Sequence, residues 1–279
     1  MVALDPRINA FRPELAAKHL QGQVEAARFV EGARHEVVEP IVALRRTPSH
    51  EARLDTQVLM GERVIVYETT GEGWAWGQLE TDGYVGWLSA NALGKTGPAP
   101  THKVAVPRTL GFPGPDIKLT PAVALPMGAR LVIARQDERF AVTVNGWHVP
   151  AVHLTPVKAK QLDFVAVAEE FLYAPYLWGG KTSLGIDCSG LVQTALQAAG
   201  HPCPRDSDMQ ELALGKLSSL GQLRRGDLVF WKGHVAIARD GETLLHANAH
   251  AMAVAVEPAA EAIARIKAAG SEVISVKRI

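Results

Sequence analysis

The sequence predicts an α+β fold in which two small β-barrels precede a mixed unit of helices and strands. Residues 33–96 consist of short β-branched or aromatic runs separated by Gly, Asp and Pro, and residues 104–156 have the same character. From about residue 160 the pattern changes, and segments with helical periodicity alternate with strands. A chain of 279 residues has room for two or three domains.

Four segments are expected along the chain. The Ala, Leu and Val spacing from Pro13 to Phe29 is loosely helical, which predicts a leader with a short helix. Short strands predict the barrels, and the composition of GKTGPAPTHK predicts a linker between them. The expected segments are the leader (1–32), the first barrel (33–96), the second barrel (97–158) and the mixed unit (159–279).

Composition and charge exclude several classes of protein. Hydrophobic residues make up 47% of the chain, and 29 basic residues balance 29 acidic ones, so no overall positive field attracts nucleic acid or anionic membranes. No apolar run approaches the roughly 18 residues of a membrane span, and the N-terminus lacks a signal-peptide core. We therefore expect a cytoplasmic protein with no nucleic-acid or membrane partner.

Two cysteines are too few for a disulfide framework, and they form neither a CxxC motif nor a Cys/His cluster with zinc spacing. No metal and no cofactor are expected. Cys203, in HPCPRDS, is interpreted as a small buried apolar residue.

Individual elements are predicted from local patterns. Asp82-Gly83 between alternating runs predicts a hairpin. After residue 160, helices are expected in QLDFVAVAEEFLYA, in SGLVQTALQAAG ending at Gly200, and in AAEAIARIKAAG. Strands are expected in GDLVFW, HVAIAR, ETLLHAN and EVISVKRI.

Cys188 follows Asp187 and directly precedes a predicted helix. A helix N-terminus carries roughly +0.5 of an elementary charge, which favours thiolate over thiol and predicts a lowered pKa for Cys188. Gly190, in the first turn, is expected to let a substrate backbone approach closely. Taken alone, the pattern fits an inert buried cysteine equally well.

A reactive thiol needs a base, and two histidines follow on consecutive predicted strands. His234 opens HVAIAR, and His246 lies in LLHAN. A two-residue loop at Asp240-Gly241 would place the two histidines on opposite faces of the hairpin. A three-residue loop would set position 236 opposite His246, with His234 diagonal to it on the same face. Because side chains alternate along a strand, we predict an odd or bulged loop.

Six motifs then occur in order: PYLWGG, GIDCSGLVQ, PRDSDMQ, RRGDLVFW, GHVAIA and LLHA. Over about residues 160–279 the chain resembles the NlpC/P60 cysteine peptidases. The resemblance implies a papain-like catalytic domain in which Cys188 is the nucleophile, His234 the general base and then acid, and His246 the residue that orients His234. The chain has HVAIA where HVGIY is commoner, which changes packing and not catalysis.

The same resemblance implies roles for neighbouring residues. Tyr176 corresponds to a tyrosine that forms the oxyanion pocket with the backbone N–H of the nucleophilic cysteine. Asp187 positions the active-site loop, although a helix N-cap is an equally good role. Trp178 and Ser189 are expected to contact substrate.

The β-rich part resembles bacterial SH3-type domains joined to NlpC/P60, on SHEARLDTQVLMGE, DGYVGWL and RTLGFPGPDIK. Both barrels are therefore expected to be SH3-like. In that subgroup of γ-D-glutamyl-L-diamino acid peptidases, the first domain narrows the cleft and meets a free N-terminal L-Ala. The resemblance implies substrate contacts for Tyr84 and Glu51, and also for Asp206 and Ser207. Core packing for Tyr84 and a solvated charge for Glu51 fit as well.

The expected function is hydrolysis of the γ-D-glutamyl-L-diaminopimelate bond in murein tripeptides or tetrapeptides with a free N-terminal L-Ala, in peptidoglycan recycling. Two alternatives stay open at this point. One is a peptidoglycan-binding SH3-type module with a secondary or inactive catalytic domain, and the other is an amidase or acyltransferase on the same core. The sequence carries no signal for an oligomeric state.

Overall fold

The computed structural model describes residues 4–279. The chain folds as two compact units. One unit runs to Val104 and continues over Arg108–Val157, and the other comprises Ala105–Pro107 with Lys158–Ile279. No helix among the described residues has the length and apolar character needed to cross a bilayer.

The leader forms short strands where a helix was predicted. Its strands are β1 (Phe11–Arg12), β2 (Leu15–Ala17) and β3 (Phe29–Val30), which form a sheet in that order, with one 3₁₀ turn at Lys18–Leu20. The helix predicted from Pro13 to Phe29 is therefore wrong. Leu15 and Leu20 are buried in an apolar cluster with Trp76 and Trp87, so tertiary burial outweighs the weak helical spacing.

The following segment forms one large antiparallel sheet. Its strands are β4 (Ala33–Val37), β5 (Ile41–Arg45), β6 (Leu54–Leu59), β7 (Arg63–Thr69), β8 (Trp74–Leu79), β9 (Val85–Ser89) and β10 (Leu93–Lys95). Within the described chain their order is β10-β4-β7-β8-β9-β5-β6. The hairpin predicted at Asp82-Gly83 is confirmed, because β8 pairs with β9 and Gly83 adopts φ +79° in the turn.

Residues 102–156 form smaller antiparallel sheets. Their strands are β11 (His102–Val104), β12 (Arg108–Gly111), β13 (Val123–Pro126), β14 (Arg130–Leu131), β15 (Ile133–Gln136), β16 (Phe140–Thr143), β17 (His148–Pro150) and β18 (Leu154–Pro156). The sheets are β14-β11-β18, β12-β13 and β15-β16-β17. None of the sheets described between residues 11 and 156 closes on itself in its strand order, so the prediction of two closed barrels is not confirmed.

The second unit is α+β, as predicted. Its helices are α1 (Phe164–Glu169), α2 (Cys188–Ala198), α3 (Ser207–Ala213) and α4 (Ala259–Ala268). Its strands are β19 (Lys181–Thr182), β20 (Gly185–Ile186), β21 (Lys216–Ser218), β22 (Asp227–Trp231), β23 (His234–Ala238), β24 (Thr243–Asn248), β25 (Ala253–Pro258) and β26 (Val273–Arg278). Strands β21 to β26 form a sheet in the order β21-β26-β22-β23-β24-β25, and β19 pairs with β20.

The layers of this unit position the site. Helix α2 packs against β23 and β24, and α4 packs against β24 and β25. The helix predicted in SGLVQTALQAAG is confirmed as α2, and Gly200 follows it with φ +80°. Helix α3 and strand β25 were not predicted. The second of these omissions matters, because β25 contributes a residue to the site.

Candidate active site

Cys188 is the first residue of α2, and Asp187 caps that helix. The Oδ1 atom of Asp187 accepts the backbone N–H of Gly190 at 2.7 Å, and Oδ2 accepts that of Gly179 at 2.7 Å. The sulfur of Cys188 accepts the backbone N–H groups of Ser189 and Val235. Since Val235 directly follows His234, the thiol lies at the start of β23.

The β23–β24 hairpin brings the two histidines together. The register pairs Ile237 with Leu245 and Ala238 with Leu244, which leaves the three residues 240–242 in the loop. This confirms the predicted odd loop. As a result, Nε2 of His234 lies 2.8 Å from Nδ1 of His246.

A fourth polar group continues this line of side chains. The Nε2 atom of His246 lies 3.0 Å from Oε1 of Glu257, which projects from β25. The sequence reading missed Glu257. The segment AVAVEP has the β-branched residues typical of a strand and ends near a glutamate. It would have indicated Glu257 only if this strand had been predicted to lie beside LLHAN.

A buried ion pair supports the nucleophile loop. Arg205 is 1% exposed, and its guanidinium donates to both carboxylate oxygens of Asp187, at 3.0 and 2.7 Å. Arg205 also donates to Oγ of Ser189 at 2.8 Å, and that hydroxyl donates to Asp187 at 3.3 Å. Gln210 then donates to the carbonyl oxygen of Ser189 at 2.9 Å. Asp187 thus serves both predicted structural roles, as helix cap and as loop support.

Tyr176 lies close to the thiol. Its backbone N–H donates to the carbonyl of Met252 at 2.9 Å, and it bridges to Ile186 just before the nucleophile loop. Burial raises the pKa of the phenol to about 12, and the nearby Asp187 carboxylate acts in the same direction. The hydroxyl therefore stays protonated at neutral pH and can donate a hydrogen bond.

Similarity to known proteins shows the family of this chain. Residues 173–269 match the NlpC/P60 family, and residues 44–93 match the bacterial dipeptidyl-peptidase SH3 domain. The γ-D-glutamyl-L-lysine dipeptidyl-peptidase of Bacillus subtilis (strain 168) is 33% identical over 219 residues, which are 69% of this chain and 72% of that protein. The chain belongs to the NlpC/P60 family. It is a cysteine-type peptidase with an SH3 domain in its N-terminal part.

Two further relatives come from Bacillus cereus (ATCC 10987). A γ-D-glutamyl-L-lysine dipeptidyl-peptidase is 26% identical over 249 residues, covering 74% of this chain and 71% of the relative. The crystal structure of an NlpC/P60 family protein superposes with a TM-score of 0.74 at 21% identity, over 88% of this chain and 99% of the other. At that identity the superposition supports the fold alone.

The second unit, which contains the NlpC/P60 match and is called the NlpC/P60 unit below, holds four more predicted site residues that differ in burial. Asp206 and Ser207 are half-buried at the start of α3, directly after Arg205. Trp178 is 62% exposed. Ser189, predicted to contact substrate, is buried, and its hydroxyl is bonded to Asp187 and Arg205.

Gly190 has a different role from the predicted one. A Cβ at this position would lie 2.3 Å from the carbonyl oxygen of Gly180, which is far inside van der Waals contact. The close approach that requires glycine is therefore between α2 and the protein's own backbone. This corrects the expectation that Gly190 makes room for a substrate backbone.

Tyr84 and Glu51 lie in the other unit. Tyr84 is 3% exposed and belongs to the apolar core of the seven-stranded sheet, while it also borders a cleft of about 680 Å³ lined by Trp76 and Trp87. Glu51 is exposed in the turn between β5 and β6. Core packing therefore accounts for the burial of Tyr84.

The pKa of the candidate nucleophile differs from the sequence-based expectation. Burial raises the pKa of the Cys188 thiol to about 12, and the adjacent Asp187 carboxylate acts in the same direction. The N–H groups of Val235 and Ser189 oppose this effect without overcoming it. Burial also lowers the pKa of His234 to about 3. The predicted lowering of the thiol pKa is thus wrong, because desolvation outweighs the helix terminus.

The resting site consequently holds a neutral thiol beside a neutral imidazole. Because only the thiolate is nucleophilic, the thiol proton must leave during attack, and His234 is the neighbouring acceptor. The Nε2 atom of His234 is engaged by His246, so Nδ1 is the nitrogen available for that proton. The arrangement suits general-base activation of the thiol.

These pKa shifts predict how fast iodoacetamide alkylates Cys188 in the free protein. His234 stays neutral above about pH 3, so between ~pH 6 and ~pH 9 the rate follows the thiolate fraction alone. We expect the rate to rise about tenfold per pH unit across that range. The measurement uses the Cys203→Ala variant, so that modification at the second buried thiol does not contribute. A rate that is flat below pH 7 would indicate a preformed ion pair and contradict the prediction.

Proposed function

We propose that this cysteine peptidase hydrolyses the γ-D-glutamyl-L-diamino acid bond of peptidoglycan peptides that carry a free N-terminal L-Ala, as a step in peptidoglycan recycling. The observation that carries the proposal is the alignment of His234 and His246, 2.8 Å apart, at the start of the strand that meets Cys188. Two relatives named γ-D-glutamyl-L-lysine dipeptidyl-peptidase support the substrate class. A dipeptidyl-peptidase releases two residues from a free amino end.

In the proposed reaction, Cys188 is the nucleophile. His234 takes the thiol proton as the sulfur attacks the γ-carbonyl of D-Glu, and it then gives that proton to the leaving amine of the diamino acid. Water, deprotonated by the same imidazole, hydrolyses the thioester and releases L-Ala-D-Glu. His246 orients His234 throughout.

The oxyanion is stabilised by donors that are already in place. The hydroxyl of Tyr176 is protonated at neutral pH, and the backbone N–H of Cys188 at the first turn of α2 is free of intrahelical bonding by its position. Donors aimed at the developing charge before the reaction need no reorganisation during it. Both groups belong to the NlpC/P60 unit.

Recognition of the free amine is the proposed source of selectivity. Asp206 supplies a carboxylate at the start of α3, and Ser207 supplies a hydroxyl beside it. We propose that these side chains hold the L-Ala ammonium. An ammonium leaves water only for a carboxylate and hydrogen-bond acceptors, so a blocked amine leaves those groups unsatisfied.

The proposal is tested by incubating the protein with L-Ala-γ-D-Glu-meso-diaminopimelate, with its L-Lys counterpart, and with N-acetylated forms of both. We expect release of L-Ala-D-Glu, detected by mass spectrometry, from at least one free tripeptide. We expect kcat/KM to fall by about 100-fold or more on acetylation. Equal cleavage of free and acetylated peptides would refute amine recognition, and no cleavage of either free tripeptide would refute the substrate class.

A further inference from the structure

Glu257 is bound on several sides by groups of the neighbouring elements. Arg265, on α4, donates to Oε1 and Oε2 of Glu257 at 2.8 and 2.6 Å. Asn248, at the end of β24, donates to Oε1 at 3.1 Å. The same oxygen lies 3.0 Å from Nε2 of His246, a side chain with no exposed surface. The carboxylate therefore joins α4 to the histidine pair.

The charge of this carboxylate decides the direction of the hydrogen bonds around it. Burial acts to raise the pKa of Glu257, but the hydrogen bonds from Arg265 and the proximity of His246 outweigh it, and the pKa lies below its ordinary value. At neutral pH Glu257 is therefore ionised and can only accept. The Nε2 atom of His246 must then carry a hydrogen and donate it.

The position of the hydrogen on His246 fixes its position on His234. Burial lowers the pKa of His246, so the ring is neutral and a hydrogen on Nε2 leaves Nδ1 bare. A bare Nδ1 of His246 accepts the hydrogen carried by Nε2 of His234, 2.8 Å away. His234 is also neutral, and its own Nδ1 is then the unprotonated nitrogen.

We infer that Glu257 is a positioning residue that selects the histidine tautomers, so that Nδ1 of His234 faces the Cys188 thiol without a proton. Two hydrogen-bond directions are otherwise open to a pair of neutral imidazoles. In the reverse direction His234 carries its hydrogen on Nδ1 and cannot take the thiol proton. The expected effect on kcat/KM rests on the proposed function. The tautomers are argued from the hydrogen bonds alone.

Glu257 also bears on the charge that forms during the reaction. When His234 becomes an imidazolium, the charged groups facing it are Arg265, Glu257 and Asp187, with His246 in direct contact. Arg265 disfavours the imidazolium, and both carboxylates favour it. The negative charge of Glu257 thus offsets the positive charge of Arg265, which by itself would disfavour a proton on His234.

The variant Glu257→Gln tests this role. Its amide oxygen can still accept from Arg265, and its amide nitrogen then donates toward His246 and reverses the chain. We expect kcat/KM for the tripeptide to fall about 10- to 100-fold, mostly through kcat, which is the range for losing the carboxylate behind a metal-bound histidine. Glu257 acts on the base only through His246, so a larger loss is not expected. Glu257→Asp, which keeps the acceptor, is expected to retain more activity than Glu257→Gln. The matched control is Glu272→Gln, because that side chain is 71% exposed and pairs with Lys267.

The tautomers themselves are read by nitrogen NMR of protein labelled with ¹⁵N-histidine. Each of the ten histidines gives separate Nδ1 and Nε2 signals, and His234 and His246 are assigned by substituting each in turn. In the unmodified protein we expect both rings to carry their hydrogen on Nε2. We expect Glu257→Gln to move the hydrogen of His246 to Nδ1, and with it the hydrogen of His234 to Nδ1.

The outcomes separate the inference from the proposed function. A hydrogen on Nδ1 of His234 in the unmodified protein overturns the inference, whatever the variants do. Unchanged tautomers in a folded Glu257→Gln variant also overturn it. Absence of tripeptide cleavage by the unmodified protein refutes the proposed substrate instead, and leaves the NMR result to decide the role of Glu257.

Discussion

Replacing Cys188 with alanine is expected to lower kcat for the tripeptide by about 10⁵-fold or more, the scale seen when the nucleophile of a catalytic triad is removed. The sulfur forms the acyl bond, so without it neither the base nor the oxyanion donors have a reaction to assist. Substrate binding should survive, since alanine is smaller than cysteine and no proposed amine contact involves the thiol. Calorimetric titration of the variant with the tripeptide, alongside initial rates, separates these two effects.

The second cysteine provides the matched control. Cys203 is buried, and its carbonyl accepts from Gln193 at 3.1 Å, an interaction of the backbone that alanine retains. Cys203→Ala is therefore expected to keep kcat within about twofold of the unmodified value, since packing changes of this size leave the reacting groups in place. More than about 1% residual activity in Cys188→Ala would mean that another group carries the chemistry.

Replacing Arg205 with methionine is expected to destabilise the NlpC/P60 unit by about 3–5 kcal/mol. Methionine fills similar volume, but it leaves the Asp187 carboxylate buried at 6% exposure without its cation. An unpaired charge in such a place has neither water nor a partner to stabilise it. The amides of α2 report on this unit, so the measurement is their native-state hydrogen exchange at increasing urea concentration.

A surface arginine provides the control for the Arg205 substitution. Arg225 pairs with Asp163 and Glu169, but its side chain is 40% exposed, so Arg225→Met is expected to cost about 0–1 kcal/mol. Adding Asp187→Asn to the Arg205 variant should recover part of the loss, because the buried charge is then gone. Equal effects of the two arginine substitutions would contradict the importance of the buried pair.

Replacing Arg205 with methionine should also change the reactivity of Cys188. Arg205 lowers the pKa of Cys188, while Asp187 raises it. With Arg205 removed, the carboxylate loses the positive charge that opposes it, and the thiol should become harder to ionise. Alkylation of Cys188 at a fixed pH is therefore expected to be slower in the folded Arg205→Met variant.

Much of the fold could be predicted where local patterns agreed with burial. Helix α2 has an aspartate cap at Asp187, a regular apolar face and a terminating Gly200, so each local preference favoured the observed element. The leader had no such agreement. The chain between Pro13 and Phe29 shows weak helical spacing, and packing of Leu15 and Leu20 against two tryptophans decided its conformation.

The site shows the same division. Hairpin geometry depends on residues close in sequence, so the three-residue loop and the meeting of His234 with His246 could be worked out from strand alternation. Arg205 and Glu257 could not be found in this way. Their importance comes from a buried carboxylate and a neighbouring histidine that the chain brings to them only when the sheet and α2 assemble.

By itself, the sequence determined which residue types are available for thiol chemistry, the elements that carry them and the hairpin register that aligns two imidazoles. The tertiary structure decided the electrostatics, because desolvation depends on every atom that surrounds a group and not on its neighbours in the chain. For that reason the helix terminus at Cys188 was visible in the sequence, whereas the burial that raises its pKa to about 12 was not.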